Sequence, residues 1–213
     1  MTTKTFGNRT GADYAGFECN YLNSGAPTTN YVGTYPRISN STAICHSTYK
    51  WTGIPTSGWG GSVTVNSVTL SVYSESLLDV MNLQWFRLLV DNIAAQSTWN
   101  NAKTGVPWSA GGAYNATDAE IGTQITSITT TSTGYVEFVF PSTSAFCTLV
   151  AGWMNGTIPN YGILGTGNPE SGGSGTFDFF GPADAADFSP QLTIDYTVAT
   201  GPTTYYFNDS VEM

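Results

Sequence analysis

Cys45 places a nucleophile beside a base, His46, which is the only histidine in the chain. A thiol activated by an imidazole is the simplest reactive arrangement these residues offer. Their surroundings, Thr42-Ala-Ile-Cys-His-Ser47, read as strand, and adjacent strand side chains point to opposite faces. The two groups therefore cannot meet, and His46 is expected to be structural or at the surface. A hydrolase would instead need two carboxylates facing each other across roughly 5 to 10 Å. Asp178, Asp184, Asp187 and Asp195 are the candidates, and only their acidity recommends them. The acidic loop Asp178 to Asp187 is also the weak candidate for Ca²⁺, since hard cations take clustered carboxylates and carbonyls. It lacks the EF-hand register, so a solvated loop and no cofactor are the expectation.

The aromatic residues offer a second kind of chemistry. Trp51, Trp59 and Trp108 lie in loop-like, Gly-rich surroundings and are the candidate platforms for a sugar ring, whereas Trp85, Trp99 and Trp153 sit in patterned segments and are expected in the core. Beyond Val198, Tyr205, Tyr206 and Phe207 follow one another in a terminal arm. Burial of one aromatic side chain is worth roughly 2–3 kcal/mol, so these three are the candidate subunit contact. The competing reading folds the arm back on its own domain.

Composition narrows the classes. The net charge is −9 with only six Lys and Arg, which leaves no cationic patch for phosphates; neither nucleic acid nor an anionic membrane is an expected partner. Charged residues make up 10% of the chain, against about 25% in an average domain. Surface polarity must then come from Thr, Ser, Asn and Gly, the usual composition of sandwiches and barrels. No apolar run reaches the roughly 18 residues a membrane helix needs. The opening Met-Thr-Thr-Lys-Thr-Phe-Gly has no apolar signal region. Cys19, Cys45 and Cys147 are too few for a disulfide framework and read as small buried hydrophobes, with a Cys19–Cys45 bridge as the alternative. The Asn-x-Ser/Thr sites at Asn8, Asn40, Asn115, Asn155 and Asn208 are what chance supplies in a chain so rich in Asn and Thr.

Strands must position these residues. Val68, Leu70 and Val72 alternate with Thr69, Ser71 and Tyr73, and Val136, Phe138 and Phe140 repeat the pattern, as do Leu192, Ile194, Tyr196 and Val198. Leu83–Val90 is apolar on both faces and predicts a central strand. Shorter strands are expected at Phe17–Leu22, within Tyr35–Tyr49, and at Ile121–Ile128, Tyr161–Leu164 and Phe177–Phe180. Lys103–Glu120 and Gly165–Gly175 read as loops. The exception is a helix around residues 143–154: Phe146, Leu149, Val150 and Trp153 fall at i, i+3, i+4 and i+7. Ser142 or Thr143 is placed to cap it, and Asn155-Gly156 to end it. About nine or ten strands at this spacing predict an all-β, jelly-roll-like two-sheet sandwich. Residues 1–13 are expected as an N-terminal arm, 14–198 as one domain, and 199–213 as a C-terminal arm.

The order of these pieces resembles the DNRLRE-type domains, jelly-roll-like sandwiches of bacterial surface proteins, carbohydrate-binding modules and phage structural proteins. The matching segments are Cys19-Asn-Tyr-Leu with Pro27–Gly33, Thr42–His46 with Ile54-Pro55, Val68–Tyr73, Trp85–Leu89 with Ser97–Asn101, Trp153–Gly156 with Asn160–Leu164, and Ser189–Tyr196. Around Ile44–Ser47 the name-giving Arg and Asp are missing, so any ligand role of that strand does not carry over. The resemblance and the absence of reactive constellations lead to one expectation. It is a non-enzymatic virion structural protein, a phage capsid decoration protein or head- or tail-fibre component. It would assemble in the host cytoplasm, as a homo-oligomer and against other virion proteins. The alternative is an extracellular or cell-surface carbohydrate-binding module or adhesin that takes a polysaccharide.

Overall fold

A computed structural model describes residues 1–32, 36–78, 81–130, 133–179 and 186–200. Its strands in chain order are β1 (Thr2–Gly7), β2 (Glu18–Asn23), β3 (Arg37–Ser39), β4 (Cys45–Lys50), β5 (Gly61–Leu78) and β6 (Met81–Leu88). There follow β7 (Asn101–Lys103), β8 (Val106–Pro107), β9 (Ala119–Thr130), β10 (Gly134–Pro141), β11 (Ile163–Asn168), β12 (Thr176–Phe179) and β13 (Gln191–Thr200). The single α-helix among the described residues, α1 (Ala145–Met154), lies between β10 and β11. The chain is an all-β sandwich, and its pairing is antiparallel throughout the described ladders.

The long strand β5 organises one layer. Residues 61–71 pair with β13, and residues 67–74 pair with β10 on the opposite side. β1 extends the layer beyond β13. The other layer runs β2-β4-β11-β6-β9. The far end of β5 pairs with β12, and β12 pairs with β3, so these two short strands carry the hydrogen-bonded sheet from one layer to the other. Alternation then builds the core. Val68, Leu70, Val72, Phe138, Phe140, Leu192 and Ile194 come from the first layer. They meet Tyr49, Leu83, Trp85 and Ile163 of the second in one buried cluster.

The helix closes the open side of this sandwich. β9 and β10 follow one another in sequence but lie in opposite layers, and α1 packs against both and against β5. Its stripe turns inward: Phe146, Val150 and Trp153 are fully buried, with Phe146 edge-on to both Phe140 and Trp153. Ser144, not Ser142 or Thr143, caps the helix, because its extended backbone lets its side chain accept from the Cys147 N–H at 3.1 Å. Asn155 and Gly156, at φ 67°, end it as expected. The Asn155 side chain also receives the Val63 N–H and donates to the Val63 carbonyl, both at 2.8 Å, which staples the helix end to β5.

Several sequence expectations are corrected. Residues 1–13 are not a free arm: β1 pairs with β13 from Thr2 to Gly7. Asp13 then returns beside it, bonding Lys4 Nζ at 2.8 Å and the Thr5 N–H at 2.8 Å. Those bonds hold the Asp13 carboxyl at about 2, below its ordinary value. The Gly-rich stretch after Leu164 is a strand as far as Asn168. Its glycines admit close neighbours: a Cβ on Gly165 would stand 2.5 Å from the Trp85 ring and 2.8 Å from Ile38. Lys103–Glu120 is not a plain loop. It holds a hairpin strand, a short 3-10 turn and the start of β9, and it belongs to a lid of residues 89–118 laid on the outer face of the second layer. There Leu22, Phe86, Leu88 and Leu164 form a second buried cluster with Ala102, Trp108 and Ala113.

Truncating the helix knob should therefore cost far more than changing its outer face. Trp153→Ala should lower unfolding free energy by roughly 3–5 kcal/mol, while Thr148→Ala, on the exposed side, should stay within about 0.5 kcal/mol. Denaturant titration measures both; equal losses would contradict the packing described.

Candidate functional site

The residues with chemical potential are placed apart and are held by local partners. Cys45 and His46 point to opposite faces of β4, as alternation requires. Cys45 lies on the side of Arg37, and burial pushes its thiol up to about 11. His46 is fully buried under the lid, with Nδ1 2.7 Å from the Gly112 carbonyl, rings of Trp99 and Tyr114 against it, and Glu170 approaching Nε2 at 3.4 Å. This is a structural histidine that fastens the lid to the sheet. The three thiols are free and buried. A Cys19–Cys45 bridge is excluded, because Cys19 pairs with Tyr49 and Cys45 with Asn23, at opposite ends of the β2–β4 ladder.

The described late carboxylates, Asp178, Asp187 and Asp195, take separate partners or face solvent. Asp178 faces Arg37 across the β12–β3 pair and accepts from its Nε at 2.7 Å and Nη2 at 2.8 Å; this fork raises the Arg37 pKa. Asp195 accepts from the Thr3 and Ser67 hydroxyls. Asp187 is exposed beside the short turn Ala186–Phe188, and Asp184 lies outside the described residues. Asp178 is committed to Arg37, and no group of metal-ligating side chains occurs among the described residues.

Two of the three tryptophan platforms are not at the surface. Trp51 is 0% exposed and packs on Phe17, while Trp108 is 5% exposed and donates Nε1–H to the Thr98 carbonyl at 3.0 Å. Loop composition misled here, because both loops fold over apolar faces. Trp59 is half-buried, its Nε1–H shared between the Pro55 and Met154 carbonyls and its ring edge-on to Tyr196 and Tyr14. It plugs the helix end of the sandwich. Of the remaining tryptophans, Trp85 and Trp153 are core as expected, whereas Trp99 is half-buried in the lid. The candidate contact Tyr205, Tyr206 and Phe207 lies outside the described residues, as does Asn208. The other glycosylation-pattern asparagines are structural. Asn8 accepts from the Gly16 and Phe17 N–H groups, Asn40 is buried and accepts from Gly175 N–H, and Asn115 accepts from Thr117 N–H.

Two surface features were not foreseen. On the outer face of the first layer, Tyr73, Tyr135 and Phe188 form an aromatic group with centroids 4.4–6.2 Å apart, and the Arg9 guanidinium stands 5.0 Å above Tyr135. Tyr135 is 53% exposed. The alternation of β5 and β10 already pointed Tyr73 and Tyr135 outward, and their cross-strand register makes them neighbours. The second feature is an open cleft of about 320 Å³ between α1 and the edge strand β9. Ile125, Leu149 and Ile158 form its apolar floor, Thr123 and Thr148 its lips, and Arg87 and Glu120 its polar end. Arg87 Nη1 donates to Glu120 at 2.8 Å, while the buried Arg87 Nε has no acceptor.

A scan against protein-family models finds no match, and neither does a search of the curated proteins. The thiol environments make a direct prediction. None of the three cysteines should react with Ellman's reagent in the native protein within minutes, and all three should react after denaturation. One fast thiol in the native state would contradict the burial of these groups.

Proposed function

We propose that the chain is a non-enzymatic structural protein of a virus particle, a capsid decoration or fibre component that works through protein–protein contacts. The observation that carries this reading is the use made of its polar side chains. Arg9, Arg37, His46, Asn155 and Asp178 each tie one strand, loop or helix end to another. Asp118 likewise receives the Ser109 and Ala110 N–H groups and the Asn115 side chain, pinning the lid. Groups spent in this way stiffen a block. They are not poised to exchange protons with a substrate. The resemblance to DNRLRE-type domains is part of the same proposal, as is the role of Tyr205, Tyr206 and Phe207 as a contact carried beyond β13.

A second reading, a polysaccharide-binding module, is favoured by the Tyr73–Tyr135–Phe188 group, which offers a solvent-facing aromatic surface beside a cation. It moves the sugar platform from the buried tryptophans to Tyr135.

Mass spectrometry of purified particles and sedimentation of the isolated chain test the first reading. The chain should be found at stoichiometric copy number in intact virions. The isolated protein should sediment as an oligomer that dissociates when residues 201–213 are deleted. Absence from particles, together with retention on a glycan array that is lost in Tyr135→Ala, would overturn it in favour of the second.

A further inference from the structure

The open cleft beside α1 has the shape and chemistry of a receptor for an added strand. β9 ends the sheet order, and its outer edge pairs with no other strand among the described residues. Among the other edges, β10 likewise pairs on one side only, with β5, but carries the exposed charge of Glu137. Asp13 and Tyr14 cover β1 through bonds to Thr5 and Gly7, and Asn30 and Tyr31 cover β2 through bonds to Asn20, Ala94 and Ser97. Edges left open invite pairing, which is why folded proteins usually cover or charge them. On β9, Gly122, Thr123 and Gln124 are exposed and carry no charge, and Thr123 lines the cleft, whose charged β9 residue Glu120 is paired with Arg87.

The cleft also offers an apolar floor. Ile125 and Leu149 are buried at its floor, and Ile158 narrows it from the side. At one end Arg87 keeps a buried Nε–H without an acceptor, although Glu120 takes its Nη1. A fitting occupant would be an extended segment with aromatic residues at alternate positions and an acidic group beyond them.

The chain contains such a segment. Gly201–Met213 reads Gly-Pro-Thr-Thr-Tyr-Tyr-Phe-Asn-Asp-Ser-Val-Glu-Met, with Asp209 and Glu212 and no Lys or Arg. In a strand Tyr205 and Phe207 share one face. Fully extended, the segment spans about 40 Å, enough to reach well beyond its own sandwich. It leaves from Thr200, which pairs with Gly61 on the β13 side of β5, whereas α1 packs along the opposite side of β5 and the cleft opens toward the second layer.

We infer that the cleft between α1 and β9 receives residues 201–213 of a neighbouring copy. The segment adds a strand to β9, sets Tyr205 and Phe207 over the apolar floor and turns its acidic end toward Arg87. The inference rests on the reading of this segment as a subunit contact and supplies the surface it binds.

The test uses the full chain with Phe207→p-benzoylphenylalanine, mixed as ¹⁴N- and ¹⁵N-labelled copies, irradiated and mapped by mass spectrometry. Cross-links between copies should fall within residues 119–125 or 145–158, and Thr123→Lys with Thr148→Lys, both on exposed lips of the cleft, should reduce them at least tenfold. Links within one copy, or between copies at another surface, overturn the assignment. Deletion of 201–213 separates the two layers of the argument. If deletion dissociates the oligomer while the cross-links land elsewhere, the contact arm stands and the cleft falls. If the oligomer survives deletion and no links form between copies, both fall.

Discussion

The burial of Phe146, Val150 and Trp153 between the two layers is the interaction on which the rest of this structure depends. A two-layer sandwich closes wherever neighbouring strands can pair, yet β9 and β10 are consecutive strands that part into opposite layers. Without a cover, the side between them would expose Phe140 and Ile125, which the helix residues Phe146 and Leu149 lie against. The helix supplies that cover with three side chains buried to 0%, each worth roughly 2–3 kcal/mol. The Asn155–Val63 staple fixes its C-terminal end against β5, and the Cys147 thiol, donating to the Phe140 carbonyl at 3.4 Å, ties its first turn to β10. The same placement produces the cleft, because a helix lying beside an unpaired strand edge leaves a groove along their line of contact.

The low charge of the chain explains how the loops are held. With few ions to pair, Asn, Ser and Thr side chains do the fastening, and they bond mostly to backbone groups. Asn20 reaches Ser97, Asn40 joins Pro169 to Gly175, and Asn160 holds the Trp51 carbonyl. Satisfying buried backbone groups in this way avoids a penalty of about 1–3 kcal/mol for each group left unpaired. The few charged residues serve the same end, as in the Arg37–Asp178 fork and the Lys50–Asp91–Lys103 cluster. The α1–β9 cleft and the exposed Tyr135 are the surfaces where the proposed contacts would form.

Much of the fold was legible because burial imposes a period. Strict alternation marked β5, β10 and β13, and the i, i+3, i+4, i+7 stripe marked α1 to within a turn. β1 was hidden because an edge strand with one solvated face needs only Phe6 and a run of threonines. β11 was cut short because Gly165 and Gly167, normally turn residues, are demanded by the Trp85 ring and by Asn40 and Met81 pressing on the backbone. The site was less legible. Trp51 and Trp108 stand in loop-like sequence, but whether a loop lies on water or on an apolar face is a tertiary fact. The second cluster beneath residues 89–118 makes that decision for Trp108. Conversely, Tyr73 and Tyr135 were visible as outward residues on two strands, and only the β5–β10 register brings them together.

Amide hydrogen exchange on the full chain tests the closure directly. If α1 holds the sandwich shut, the amides of Leu149 to Asn155 should open only with global unfolding and match the protection of β5 and β6. Fast exchange of that helix while the strands stay protected would show that the layers close without it, and would contradict the account.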